Sequence, residues 1–112
     1  MNKKAKTCLF DIRKAIQAIE SFLQDVPDFA HYIADLKTRS AIERRLGIIG
    51  EAINNFRKAE TVFVLTDARD FVDFRNSLIH AYFRVDDAAV WKILHDRLPP
   101  LKQEVEQGLK LP

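Results

Sequence analysis

This sequence predicts an all-helical fold, an antiparallel bundle of four long helices plus a short one. Three observations carry that prediction. Apolar residues recur at steps of three and four through most of the chain. The first half shows no alternation of apolar and polar residues of the kind a half-buried strand needs. Only three Gly and four Pro are present, too few for the many turns of an all-β fold.

The first helix is predicted over about 5–24, where Leu9, Ile12, Ile16, Ile19 and Leu23 form one apolar stripe. Pro27 closes it, and Asp28 is placed to cap a short helix reaching about Ala34. The next stripe is the most regular: Ile42, Leu46, Ile49, Ile53 and Phe56 fall in a coiled-coil-like seam. Thr38 or Ser40 is the expected start of that helix and Lys58 its approximate end. Gly47 and Gly50 sit inside it, and each costs about 1 kcal/mol relative to Ala in an exposed helix. Two such residues in so regular a helix imply close approach of another backbone, from the same subunit or a second one.

Residues 59–66 contain the β-prone run Val62–Leu65, but four residues make no sheet without a partner strand. They are read as an apolar connector packed on the bundle. Asp67 is the expected N-cap of a fourth helix presenting Phe71, Phe74 and Leu78 on one face. Asp86 or Asp87 caps the last helix, whose stripe holds Val90, Ile93, Leu94 and Leu98 with Trp91 at its shoulder. Pro99-Pro100 must kink or break that helix, because proline removes a backbone donor and clashes with the preceding turn. The pattern resumes at Leu101, Val105 and Leu109.

Bulk properties bound the function. A length of 112 residues fits one domain spanning 1–112, and 47% hydrophobic with 30% charged residues argues against disorder. A net charge of +2 is low for a protein that grips a long stretch of nucleic acid through its phosphates. Any RNA contact is therefore expected to be local, or shared between two subunits. The single Cys8 excludes an internal disulfide and fits a reducing compartment. No apolar run reaches the ~20 residues of a membrane span. The basic N-terminal stretch runs straight into an amphipathic pattern containing Asp11 and Arg13, unlike a signal peptide. A soluble cytoplasmic protein with no membrane partner is expected.

His31, His80 and His95 are scattered, Cys8 has no companion at ligand spacing, and no glycine-rich phosphate loop occurs, so neither metal nor cofactor is expected. The remaining concentration of chemistry is Arg75-Asn76-Ser77-Leu78-Ile79-His80-Ala81-Tyr82. Asn76 and His80 share a helix face, while Arg75 points elsewhere and only its long side chain can swing round to them. A guanidinium matches phosphate oxygens and an imidazole passes protons near neutrality, which makes a phosphate site. The same residues admit a structural reading. Arg75 could pair with Asp70, Asp73 or Asp11, and His80 could cap its own helix end.

The run FRNSLIHAYFRVD resembles the signature of HEPN domains, an arginine, four residues and a histidine, and its tyrosine two residues later resembles the HepT-like group. ERRLGIIGEAINN is similar to that group's central helix and VWKILHDRLPPLKQEV to its last helix. With the N-terminal helix, the resemblance covers nearly the whole chain. It implies a helical domain that dimerises so that both copies of Arg75 and His80 face one cleft. It also implies cleavage of RNA without metal, with the RNA's own 2′-hydroxyl as nucleophile. Arg75 would then stabilise charge on the phosphate, His80 would act as general acid or base, and Asn76 would orient one of them. Arg84 becomes a candidate further phosphate contact, with an ordinary solvated arginine as the alternative. The partner the resemblance implies is an MNT-type minimal nucleotidyltransferase acting as antitoxin, which transfers AMP to the motif tyrosine, here Tyr82. Asp70 and Asp73 lie unusually close to such a site and could hold Arg75 away from RNA or orient it. Glu51 falls in the matched central helix, which could bring it near the implied cleft in a role the resemblance does not specify; a surface or interface carboxylate is the plainer reading. Two other functions stay open: a non-catalytic subunit partnering a nucleotidyltransferase, and a structural bundle whose Gly47/Gly50 helix only makes a dimer.

Overall fold

The computed structural model describes residues 1–66, 68–80 and 82–112. The first helix, α1 (Lys3–Leu23), begins where the Asn2 side chain accepts a hydrogen bond from the Ala5 N–H at 2.8 Å. It starts two residues before the apolar stripe suggests, because that cap satisfies a free donor of the first turn. Leu9, Ile12, Ile16 and Ile19 are fully buried, as their spacing predicts. Asp28 caps α2 (Phe29–Ala34), accepting from the His31 N–H at 2.9 Å.

The central helix, α3 (Leu36–Ala59), starts earlier than expected. Neither Thr38 nor Ser40 caps it; Asp35 does, accepting from the Thr38 N–H at 3.0 Å while the Thr38 hydroxyl donates to its second oxygen at 2.7 Å. A carboxylate that can serve both the backbone and the neighbouring hydroxyl outcompetes either hydroxyl alone. The whole seam of Ile42, Leu46, Ile49, Ile53 and Phe56 is buried. The core runs along the contact between α1 and α3, and its burial is what holds the helices side by side.

Residues 60–66 are helix-free: the Glu60 carboxylate accepts from the Val62 and Phe63 N–H groups at 2.9 and 2.8 Å. The connector packs only in part. Phe63 and Leu65 join the core, whereas Val62 is 90% exposed and Val64 also faces solvent. No strand forms among the described residues.

The fourth helix, α4 (Arg69–Leu78), packs on α3. Asp67, the expected cap, lies outside the described residues. Phe71 and Phe74 are buried, but Leu78 is half out of the core at the helix end.

Asp86 caps α5 (Asp87–Lys92), accepting from the Ala89 N–H at 3.1 Å, and α5 runs through a π-helical turn, Ile93–Arg97, into α6 (Leu98–Leu109). The break expected from Pro99-Pro100 thus takes the form of a widened turn just ahead of the prolines. Both prolines fall in the first turn of α6, where a missing N–H is tolerated, and the π turn displaces the carbonyls their rings would otherwise strike. Leu98, Leu101 and Val105 are buried as α6 packs on α1. No helix among the described residues is long and apolar enough to cross a membrane.

Candidate active site at the end of the fourth helix

The helical period sorts the candidate residues onto two faces of α4 and its exit. Asp73, Asn76, Ser77 and His80 line one shallow depression together with Phe83. Arg75 lines another, with Gly47, Glu51, Leu78 and Ile79 among its neighbours. Within one chain, then, Arg75 and His80 open onto different depressions. Asn76 joins them: it lines the His80 depression while its amide oxygen accepts from Arg75 Nη1 at 3.0 Å.

Arg75 does not pair with Asp70, Asp73 or Asp11. Its Nη2 lies 2.6 Å from Glu51 Oε2 on α3. Asp70 is engaged by Arg97 Nε at 3.1 Å, and Asp73 faces Arg69 Nε at 3.6 Å. The nearby acids are therefore directed to other arginines. Among the acidic side chains of the described residues, only Glu51, to which the sequence assigned no specific role, touches the guanidinium. Its sequence signals are its place in the matched central helix and its position next to Gly50, the residue that lets α4 come close.

That approach is within the subunit. A Cβ on Gly50 would stand 2.4 Å from the Phe71 carbonyl oxygen and 2.6 Å from Arg75 Cβ. Glycine is the one residue that fits there, and its absence of side chain seats the root of Arg75 against α3. At Gly47 a Cβ would meet only the tip of Leu78, at 3.0 Å.

His80 lies just beyond the end of α4, its N–H donating to the Ser77 carbonyl at 3.0 Å. Its ring does not cap the helix. Nδ1 instead accepts from the Tyr82 N–H at 3.3 Å, which assigns the proton of the neutral ring to Nε2. The His80 and Tyr82 rings have centroids 6.1 Å apart. Tyr82 is 88% exposed, so its hydroxyl is open to solvent. Arg84 is exposed and has no ion-pair partner among the described residues.

Chemically, the end of α4 offers one anchored cation, one accessible imidazole and an amide connecting them. Leu78 and Ile79 add exposed apolar surface, Ile79 being 75% exposed. Cys8 is buried in α1, with its thiol pushed up chiefly by desolvation, the opposite of what a nucleophile needs. Among the described residues no group of three or more His, Cys, Asp or Glu side chains is placed to hold a metal ion.

The family model described as "Ribonuclease HepT-like" matches residues 12–108. A protein of Thermococcus cleftensis named "Probable ribonuclease HepT" is 36% identical over 96% of this chain and 97% of its own length. A protein of Methanocaldococcus jannaschii named "Putative RNase" is 38% identical over 95% of this chain and 98% of its own. A second protein of that organism with the same description is 30% identical over 94% of this chain and 90% of its own. No solved structure matches the chain.

Proposed function

The chain belongs to the ribonuclease HepT-like family, and on that premise we propose that it is a metal-independent endoribonuclease acting through Arg75 and His80. The observation that carries the proposal is the match over 12–108, which takes in Arg75, Asn76, His80 and Tyr82 at the accessible end of α4. In the reaction the RNA 2′-oxygen attacks the adjacent phosphorus and the bond to the 5′-oxygen breaks. The products are a 2′,3′-cyclic phosphate and a 5′-hydroxyl. Arg75 stabilises the charge that builds on the phosphate oxygens. His80 serves as general acid or base for the proton that leaves the 2′-hydroxyl or the one that reaches the 5′-oxygen. Asn76 ties the cation to the imidazole side of the helix.

The functional unit of this proposal is a homodimer of 1–112 domains. Arg75 and His80 open onto separate depressions in one chain, and a second copy would bring complementary groups into one cleft. Exposed Leu78 and Ile79 beside Arg75 supply apolar surface for that contact. Pairing two sites also answers the low net charge of +2, since two cationic clusters then act on one RNA segment. Arg84, exposed and without an ion-pair partner among the described residues, supplies a further phosphate contact.

In the cell the protein is the cytoplasmic toxin of a toxin–antitoxin pair, restrained by an MNT-type nucleotidyltransferase antitoxin. AMP attached to Tyr82 would place phosphate beside His80, occupy the cationic groups and repel RNA. The exposure of Tyr82 supports this reading.

The test is incubation of total RNA in EDTA with the wild type, Arg75→Ala and His80→Ala. Cleavage by the wild type, absent in both variants and leaving 2′,3′-cyclic phosphate ends, is the expected result. Equal inactivity of all three, with the wild type shown free of AMP on Tyr82, overturns the proposal in favour of a binding subunit.

A further inference from the structure

The geometry points to Glu51 as the positioning residue for Arg75, with Gly50 fixing the root of the same side chain. This rests on the nuclease reading for its kinetic consequence but not for its structural content. Two successive residues of α3 act on the two ends of Arg75. At the root, the missing Cβ of Gly50 admits Arg75 Cβ to within 2.6 Å of where that Cβ would be. At the tip, Glu51 Oε2 lies 2.6 Å from Nη2, and the Asn76 amide oxygen takes Nη1 at 3.0 Å.

An arginine tethered only by its backbone samples many rotamers, and most of them aim the guanidinium into solvent. Here one donor of each terminal nitrogen is engaged on α3 and α4, and the remaining N–H donors are left for a phosphate. The anchors leave the cation in place before substrate arrives, which is where preorganised electrostatics gains its effect.

Among the described residues Glu51 is the one carboxylate in contact with Arg75, and both side chains are part-exposed. Its negative charge therefore has two opposed effects. It orients the cation, which raises kcat, and it repels the RNA backbone, which raises KM. A carboxylate that merely neutralised Arg75 would lower kcat and raise KM, and its removal would raise kcat and lower KM. The arrangement around Arg75 favours orientation, because Asn76 holds the other nitrogen in the same frame and Gly50 removes slack at the base.

The experiment compares the wild type, Glu51→Ala and Glu51→Gln in RNA cleavage, and follows the Arg75 guanidinium by nitrogen NMR. Glu51→Ala is expected to lower kcat about tenfold or more, with KM unchanged or lower. Glu51→Gln keeps an oxygen to accept from Nη2, so it restores kcat to within about threefold of wild type while KM stays lowered. In the spectra, Nη1 and Nη2 of Arg75 give separate signals in the wild type and in Glu51→Gln. They merge in Glu51→Ala as rotation is freed. A kcat for Glu51→Ala equal to or above wild type overturns the inference, as does an Arg75 signal that is averaged in the wild type. Should the wild type show no cleavage dependent on Arg75 and His80, the nuclease reading fails, and the spectra alone still decide the positioning role.

Discussion

Gly50 and Phe71 bring the backbones of α3 and α4 into contact: a Cβ on Gly50 would sit 2.4 Å from the Phe71 carbonyl oxygen. No side-chain rotation relieves that clash, because the obstacle is main chain at the middle of a buried face. Gly50→Ala is therefore expected to destabilise the fold by about 1–3 kcal/mol, despite the better helix propensity of alanine. Gly47 supplies the control. Its added methyl meets only the flexible tip of half-exposed Leu78 at 3.0 Å. Gly47→Ala should be neutral or stabilising by up to about 1 kcal/mol. Urea unfolding of both variants checks the pair, and equal effects at the two positions would show that α4 is not seated on Gly50.

Glu43 gives a second prediction, on pH. Burial pushes its carboxyl above the ordinary carboxylate range, the nearby Asp87 adds to the shift, and Arg39 partly offsets it. A raised folded-state value means that folding penalises the ionised form, so the penalty is present at neutral pH and fades as pH falls towards the unfolded value. Glu43→Gln mimics the protonated form. It should raise stability at pH 7, and the gain should vanish once the medium falls below the unfolded value of 4.5. A gain that persists at low pH would point to packing rather than charge.

The caps give the opposite sign. Asp28, Asp35 and Glu60 are all held below their usual values by the hydrogen bonds they accept: Asp28 from the His31 N–H and ring, Asp35 from the Thr38 hydroxyl and then the Thr38 N–H, and Glu60 from the Phe63 and Val62 N–H groups. Their contribution is complete above the unfolded values of 3.8, 3.8 and 4.5 and is lost as pH drops through the lower folded ones. Acid unfolding should therefore shift to higher pH in Asp35→Asn, whose amide keeps the shape but not the titrating charge. Unfolding curves from pH 5 downwards, followed by circular dichroism, check this.

How much of this was legible in the sequence depends on the range of the interaction. The stripes of α1 and α3 could be read because burial of Ile12, Ile16, Ile49 and Ile53 follows from one helix's own period. The short helix and its Asp28 cap were equally local. The cap of α3 is not legible, because Asp35 lies in a segment that also ends α2, where composition alone does not separate the two helices. The widened turn before Pro99 was legible as an interruption but not as a π turn, since proline dictates the lost bond and not its repair. The partner of Arg75 is not legible for a related reason. Neighbours in sequence suggested Asp70 and Asp73, but Arg97 arrives from the π turn to take Asp70, and Arg69 faces Asp73 one helical turn away. The actual partner, Glu51, comes from a different helix whose rotation is set by the Gly50 contact, and no local pattern encodes that.

Asp73 leads to a prediction of its own. It lines the depression that holds His80, and its contact with Arg69 is long at 3.6 Å and largely exposed, so it neutralises little charge. Asp73→Asn should lower KM for RNA about two- to threefold at low salt, with the gain shrinking at ~0.5 M salt as the Debye length contracts. Asp70→Asn is the comparison, because Arg97 holds that carboxylate at 3.1 Å and it lines neither the Arg75 nor the His80 depression. Its KM should stay at the wild-type value. If both variants lower KM alike, overall charge rather than local placement is responsible.

Tyr82 allows the modification and the chemistry to be separated. Its hydroxyl is exposed, while its backbone N–H supports His80 Nδ1 at 3.3 Å. Removing the hydroxyl leaves that backbone contact intact, so Tyr82→Phe should cleave RNA at close to the wild-type rate. Incubation with a minimal nucleotidyltransferase and ATP should add AMP to the wild type, visible as a discrete mass increase, and abolish cleavage. Tyr82→Phe should take up no AMP and remain active in the same mixture. If Tyr82→Phe is silenced without a mass change, the partner acts by covering the cleft. If it gains AMP, the acceptor lies elsewhere in the chain. If Tyr82→Phe is inactive before any partner is added, the phenol itself contributes to RNA binding, a role that its placement beside His80 would accommodate.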